Sequence, residues 1–404
     1  MATPAIGSSA LTRRGMLLAT ASTLFVAACG RSGQNGQTGP TRGPQDLVIG
    51  ASLELTGVGA AMGVLQERAL RITLDTLNEE GVPVGNLRRK IRLVVQDNGS
   101  NPKTAAAQAT EMATREQVHA IVGGTLAETS LAIIDVAQAE QVPFISLAAA
   151  DEIVLPLPER TFIYKLTADA SDVARQLARL ISSQRLAKVA LLAAPGPHGN
   201  SGVRAMTGAL KTVETGLVRV VRLPATGADF TAAAKKVASS KPDGVTVWAT
   251  APSSGAAARA LRQAGYDGPI FFDALAVTEE TLSAVNATAV EGAFVVHPMA
   301  LSGSSLTNTT SAGLARRDFV FRYIQQHGSF SGFAPYASDA LHLITSAARL
   351  ASSVDHGRLR VYLARQVIEG IAGSYAFAPI RHGGMEPDSL GVFTVSRGEW
   401  TRIS

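Results

Sequence analysis

Three stretches of the sequence carry residue types at spacings that could do chemistry. Gly57-Val58-Gly59-Ala60-Ala61-Met62-Gly63 lies between an apolar run and a helical pattern, where a glycine-rich loop could cradle a dinucleotide pyrophosphate. Its third glycine comes one position late, and Asp97, at the end of the next strand, lies about 40 residues on rather than the ~20 that ribose recognition needs. Gly123-Gly124-Thr125-Leu126-Ala127 joins a strand to a helix N-terminus, where free N–H groups and the helix dipole favour an anion. Gly199-Asn200-Ser201-Gly202 lacks the spacing of a nucleophile elbow. No His-Glu-x-x-His run occurs, and His119, His198, His297, His327, His342, His356 and His382 show no metal-ligand spacing. The reading is therefore of a protein that is not an enzyme and needs no cofactor or metal. A Rossmann-type dinucleotide-dependent enzyme stands as an alternative that the first loop supports poorly.

The single cysteine, Cys29, excludes an internal disulfide framework and a cysteine-rich zinc site. Its neighbours give it another meaning. Arg13 and Arg14 are followed by uncharged Gly15–Ala28, too short for the ~20 residues of a spanning helix but of the length of a secretory apolar region. Val26-Ala27-Ala28-Cys29 then resembles a bacterial lipobox, whose cysteine is acylated and becomes the mature N-terminus. A plain signal peptide cut near Ala28, or a short anchor, is the alternative. Thr12-Arg13-Arg14-Gly15-Met16-Leu17 also resembles a twin-arginine export motif, with Met16 where that motif usually has Phe. Residues 1–28 are thus expected to be a signal peptide, and 29–45 a lipidated cysteine with a Gly- and Pro-rich tether. Removing 1–28 takes away two arginines and no acids, which lowers the formal charge from +5 to +3.

These segments must serve a folded body. The chain of 404 residues is 46% apolar and 17% charged, enough for a sizeable core and more than one α/β unit. Its basic residues are scattered, the densest runs being Arg88-Arg89-Lys90 and Arg316-Arg317, which argues against a nucleic-acid partner. From Asp46, apolar strands alternate with amphipathic helices: strands at 46–55, 91–97, 118–124 and 143–149, with helices between them. A strand at 161–168 leaves this unit. A second series follows, with helices at 171–183, 200–213, 229–239 and 254–264 and strands at 188–194, 217–223, 244–250 and 269–274. Helices are expected near 314–326, 335–352 and 357–369, then a hairpin over 390–404 turning at Ser396-Arg397-Gly398. This βα alternation predicts parallel sheets with helices on both faces.

The runs LVIGASLELTGVGAAMG, KIRLVVQDNGSNPKTAAAQATEM and VHAIVGGTLAETSLAIIDVAQAEQVPFISLAAA resemble the Leu/Ile/Val-binding protein family, type I periplasmic solute-binding proteins of ABC importers. The similarity continues through GPHGNSG, RQAGYDGPIFFD and APYASDALHL, covering nearly all of Asp46–Ser404. The resemblance implies two Rossmann-like α/β lobes with parallel sheets joined by a three-segment hinge. The lobes expected are 46–167 with 300–380, and 168–299 with 381–404, with crossings near 166–170, 297–301 and 379–390. It further implies a small-molecule ligand between the lobes and a membrane permease as partner. With the lipid anchor, the location is extracytoplasmic, at the cell membrane. A ligand-sensing lipoprotein without a transport partner is the second alternative.

In open α/β sheets ligands lie beyond the carboxyl ends of strands, here Gly124, Ala148, Ala194, Thr250 and Asp273. The resemblance then assigns cleft positions. The family's first-loop tyrosine is Met62, its usual serine is Ala127, and its small pair followed by Ser or Thr is Ala148-Ala149-Ala150. His198 stands at the aromatic position of the second lobe, and Asp273 where the family places an acid for the ligand ammonium. The expected contacts are the N–H groups of Thr125, Leu126 and Ala127 on one lobe, facing His198, Thr250 and Asp273 on the other. Thr125, Thr129 and Ser130 could supply the missing hydroxyls or merely cap the helix. Asp339 is read as structural. The losses at Ala127 and Ala150 turn the expectation from branched-chain amino acids toward a simple or weakly polar acid, an amide or a similar nutrient.

Overall fold

The computed structural model describes residues 46–225, 227–305 and 309–403. Cys29, the leader and the tether lie outside them. The first part of the chain forms β1 (Leu47–Leu53), α1 (Ala60–Glu80), β2 (Val82–Val84), β3 (Leu87–Arg89), β4 (Ile91–Asp97) and α2 (Pro102–Thr114). It continues with β5 (Ala120–Gly123), α3 (Ala127–Ala139), β6 (Phe144–Ser146) and β7 (Ile163–Lys165). Strands β4-β1-β5-β6-β7 make one sheet, parallel throughout. Its two faces can be read along β1. Leu47, Ile49, Ala51 and Leu53 enter one apolar cluster with Leu70 of α1, while Val48 joins Met112 of α2 and Ile133 of α3 on the other. Alternate residues of a strand point to opposite faces, so a central strand covered on both sides is apolar along its length. Helix α2 starts where Asn101 accepts from the N–H groups of Lys103 and Thr104, just before Pro102.

The middle of the chain forms α4 (Ala170–Ser183), β8 (Lys188–Ala193), α5 (Gly196–Thr212), β9 (Gly216–Arg222), α6 (Thr231–Ala238) and β10 (Gly244–Trp248). Then come α7 (Ser253–Gln263), β11 (Ile270–Phe272), α8 (Ala287–Val290) and β12 (Phe294–Pro298). The remainder supplies α9 (Ser311–His327), α10 (Ala334–Ala351), α11 (His356–Leu363), β13 (Val367–Glu369), β14 (Ser374–Ala376), β15 (Leu390–Ser396) and β16 (Glu399–Arg402). The second sheet runs β16-β15-β12-β11-β10-β8-β9. Its first five strands in sequence are parallel, and the closing β15 and β16 are antiparallel. The β15–β16 turn has the expected signal: Arg397 and Gly398 both adopt positive φ, 54° and 76°. Helices α9 and α10 return to pack on α1. The chain thus changes sheet between β7 and α4, between β12 and α9, and between β14 and β15.

Two expectations need correction. The helix expected over 357–369 ends at Leu363, and Val367–Glu369 instead pairs antiparallel with Ser374–Ala376. The turn between those strands is held by buried Asp339, which accepts from the N–H groups of Ile371 (2.5 Å) and Ala372 (2.8 Å) and from the Tyr375 hydroxyl (2.8 Å). That structural role is the one read for Asp339. Strand β12, a short run between Gly292 and Pro298, joins the sheet where no strand was expected.

The crossings are built from buried polar groups. Lys165, fully buried, pairs with Asp169 at 2.7 Å. Its N–H donates to the His382 carbonyl, and its own carbonyl accepts from Gly384. His297, at the end of β12, stands against Phe333 and Tyr336 of the α10 start.

Burial pushes the His297 imidazole down to about 4. Its unfolded value is near ~6.5, so the unfolded chain takes the proton first, and the stability His297 contributes at neutral pH is lost as pH falls from about 6.5 through about 4. Asp339 runs the other way. Burial raises its carboxyl to about 6 from 3.8, against the hydrogen bonds that lower it, so its contribution improves as pH falls through that window. At about 1.4 kcal/mol per pH unit each effect reaches roughly 3 kcal/mol. His297→Gln should therefore gain up to about 3 kcal/mol relative to wild type between pH 6.5 and pH 4. Urea unfolding at both pH values measures this; an equal difference at the two would contradict it.

Candidate functional site

The carboxyl ends of the strands of both sheets face one another. In the first lobe, β1 ends on Glu54, which is fully buried. Its carboxylate accepts from the N–H of Thr125 at 3.0 Å and of Leu126 at 3.4 Å, and from the Thr129 hydroxyl. The two N–H groups just before α3 are thus engaged by the chain's own acid, stabilised there by the helix dipole. Helix α1 closes over this point because residue 63 is glycine: a Cβ there would lie 2.1 Å from the Glu54 carbonyl oxygen. Gly124 turns the chain with φ +62°, and its Cβ would meet Ser130 Oγ at 2.3 Å. Ser130 donates to the Gly124 carbonyl at 2.6 Å and lies 2.7 Å from Ser146 Oγ. Thr125 donates to Gln66 Oε1 at 2.5 Å.

In the second lobe Asp273 follows β11 and is 1% exposed. One oxygen accepts from the Ala249 N–H at 3.0 Å, the other from the Leu275 N–H at 3.2 Å. His198 Nε2 lies 3.0 Å from Asp273 Oδ2 but is out of line for a hydrogen bond, so the contact is one of proximity. His198 belongs to the first turn of α5 rather than to a loop, and its ring tilts over Trp248 at 6.0 Å between centroids. Trp248 packs against Gly202, whose Cβ would lie 2.3 Å from the indole.

Between the lobes, Ala149 and Tyr336 from one side meet His198, Trp248, Asp273 and Leu275 from the other around a small cavity. The lobes are closed over it, leaving about 10 Å³ for the centre of a water-sized sphere, about one water. At one rim Glu152 binds Arg204 of α5 at 2.8 Å and accepts from the Ser201 hydroxyl at 2.8 Å. Burial opposes ionisation of Glu152, but hydrogen bonds from its own backbone N–H, Ser201 and Arg204 outweigh it and hold the carboxyl below its ordinary value. At another rim Ser329 donates to Glu279 at 2.6 Å. A larger hollow of about 680 Å³ is an open groove of the first lobe, lined by Glu80, His342 and Arg349 and away from these strand ends. The interlobe cavity is the candidate site because both sheets' strand ends converge there.

The sequence-predicted residues divide accordingly. Ala149, His198 and Asp273 line the cavity. Met62 is buried in the core beneath α1, Ala127 in the cluster behind the sheet, and Leu126 packs against the core. Ala148 and Ala150 are fully buried, the Ala148 carbonyl accepting from Thr167 at 2.6 Å. Thr250 stands half-buried before α7, where its carbonyl accepts from Ser254. Thr125 serves Glu54 and Gln66, and Leu126 also donates to Glu54, so two of the three N–H groups of the expected anion site at Thr125 to Ala127 are engaged from within. Sequence reasoning passed over Glu54, Trp248 and Tyr336. The signal for Glu54 was an acid inside an otherwise apolar strand run; an aromatic at a buried strand end or helix start carries none.

Among the described residues no helix is long and apolar enough to cross a membrane, and no group of three or more metal-ligating side chains occurs. A family model described as periplasmic binding protein matches residues 46–396. Solved structures are similar across most of the chain. An extracellular ligand-binding receptor from Rhodopseudomonas palustris HaA2 has 21% identity, with 89% of this chain and 99% of that chain covered and a TM-score of 0.80. The branched-chain amino acid transporter substrate-binding protein LivJ from Streptococcus pneumoniae, in complex with isoleucine, has 21% identity, 89% and 99% coverage and a TM-score of 0.76. A solute-binding protein of an ABC transporter from Rhodopseudomonas palustris BisB5, in complex with 3,4-dihydroxybenzoic acid, has 17% identity, 89% and 97% coverage and a TM-score of 0.77. At such identities the likeness shows the fold.

Proposed function

Since the chain belongs to the periplasmic binding protein family, a family of solute-binding receptors and not of enzymes, we propose that it is the lipid-anchored extracytoplasmic solute-binding component of an ABC importer. It captures a small amino acid or a related organic acid or amide between its lobes. The observation that carries this reading is the cavity where both sheets' strand ends meet, lined by buried Tyr336 and by two buried side chains, His198 and Trp248, whose ring nitrogens make no hydrogen bond within the chain. Buried polar groups are paired as a rule, and groups left over around one cavity are the usual mark of a ligand site. The proposed lobes are 46–167 with 300–380 and 168–299 with 381–404, a division supported by the three changes of sheet. The ligands of the solved relatives, isoleucine and a dihydroxybenzoic acid, support a small organic solute.

A solute that touches both lobes favours the closed state by its differential affinity for closed over open. Small-angle scattering across a library of small nutrients should find a solute that reduces the radius of gyration. An unchanged profile at proven saturation would contradict the cleft. The anchor has its own test. One acyl chain binds membranes only marginally at ~0.8 kcal/mol per buried methylene, so a stable anchor at Cys29 needs at least two. Cys29→Ala expressed in its host should lose membrane association; wild-type chain found untruncated in the cytoplasm would refute the anchor.

A further inference from the structure

The solute's chemical class can be read from what the cavity walls already use and what they leave over; the argument rests on the cleft reading above. We infer that the solute is neutral, that it both accepts and donates hydrogen bonds, and that it carries no free carboxylate.

The first support is the state of the anion site. The N–H groups of Thr125 and Leu126, and the Thr129 hydroxyl beside them, are held by Glu54. A ligand carboxylate would have to displace a buried carboxylate of this chain. The cavity wall contains no lysine or arginine to receive it elsewhere, and its one charged acid, Asp273, would repel it in a site largely closed to water. A cation fares little better. Both Asp273 oxygens already accept backbone N–H groups, and the His198 ring stands 3.0 Å from Oδ2, where an ammonium would have to sit.

The second support is the set of groups left over. Trp248, 2% exposed, has an indole N–H without a partner, and an indole only donates. Tyr336, 1% exposed, lines the same cavity and carries a hydroxyl able to donate or accept. His198, 7% exposed, has both ring nitrogens unpartnered. In a neutral imidazole one nitrogen donates and the other accepts. A carboxylate only accepts and leaves the acceptor nitrogen of a neutral imidazole unmatched; an ammonium only donates and leaves the indole unmatched. A primary amide answers both. Around these groups Ala149, Val173 and Leu275 add apolar wall to the cavity.

Calorimetry with matched probes tests this: isobutyramide, isobutyrate and isobutylamine; benzamide, benzoate and benzylamine; and free leucine. The amide of at least one set should bind at least tenfold more tightly than its acid and amine. Tyr336→Phe, which removes only the hydroxyl, should weaken that amide several-fold to about tenfold with unchanged melting temperature. Tighter binding of an acid, an amine or leucine would overturn the inference. So would silence from every probe while some other solute compacts the protein, an outcome that leaves the cleft reading standing. If no solute of any kind compacts the protein, the cleft reading fails, and this inference with it.

Discussion

The Glu54 carboxylate, sunk at the end of β1, accepts the first N–H groups of the α3 region and the Thr129 hydroxyl. A buried charge is tolerated only where donors surround it, and a helix start supplies donors and a favourable dipole together. That one contact fixes the spacing between the ends of β1 and β5. It also demands glycine at position 63, because α1 must pass close to the Glu54 backbone. On the first lobe's side of the cleft these donors are therefore already engaged. On the other side stand His198, Trp248 and Asp273, and Tyr336 reaches the same cavity from the start of α10.

The same economy governs the crossings between lobes. Lys165 is fully buried yet pairs with Asp169, and its backbone is bound to residues 382 and 384 from the last crossing. Breaking one partner of such a pair would leave a buried charge uncompensated, at several kcal/mol. Two of the three crossings are thereby tied to each other, while the third carries His297 against the aromatic start of α10. The rims are different in kind. Glu152–Arg204 and Ser329–Glu279 are partly solvated contacts, each worth about 1 kcal/mol or less. A body with firm crossings and weakly latched rims suits lobes that open and close about a hinge.

The alternation of strands and helices was legible because periodicity of two and of 3.6 survives in the apolar pattern. β1, with every residue buried, and the Arg397-Gly398 turn are examples. Where local signals compete with tertiary contacts the reading slipped. The residues after Leu363 carry no strong breaker, and Asp339 and Arg316, distant in sequence, hold the turn of the β13–β14 hairpin. β12 is a short strand recruited by its neighbours on both sides. In the site, family-matched positions led to Ala149, His198 and Asp273, but alanines at 127, 148 and 150 turned inward to the core. Tyr336 and Trp248 come from distant parts of the chain to line one cavity, a juxtaposition no local pattern encodes.

The account turns on Glu54 standing where a ligand anion would otherwise sit. A crystal structure of the protein with a solute that compacts it tests this most directly. The account predicts Glu54 still accepting from the Thr125 and Leu126 N–H groups, with the solute hydrogen-bonded to Trp248, Tyr336 or His198. A structure in which Glu54 has swung away and a solute carboxylate occupies the α3 N-terminus would contradict it.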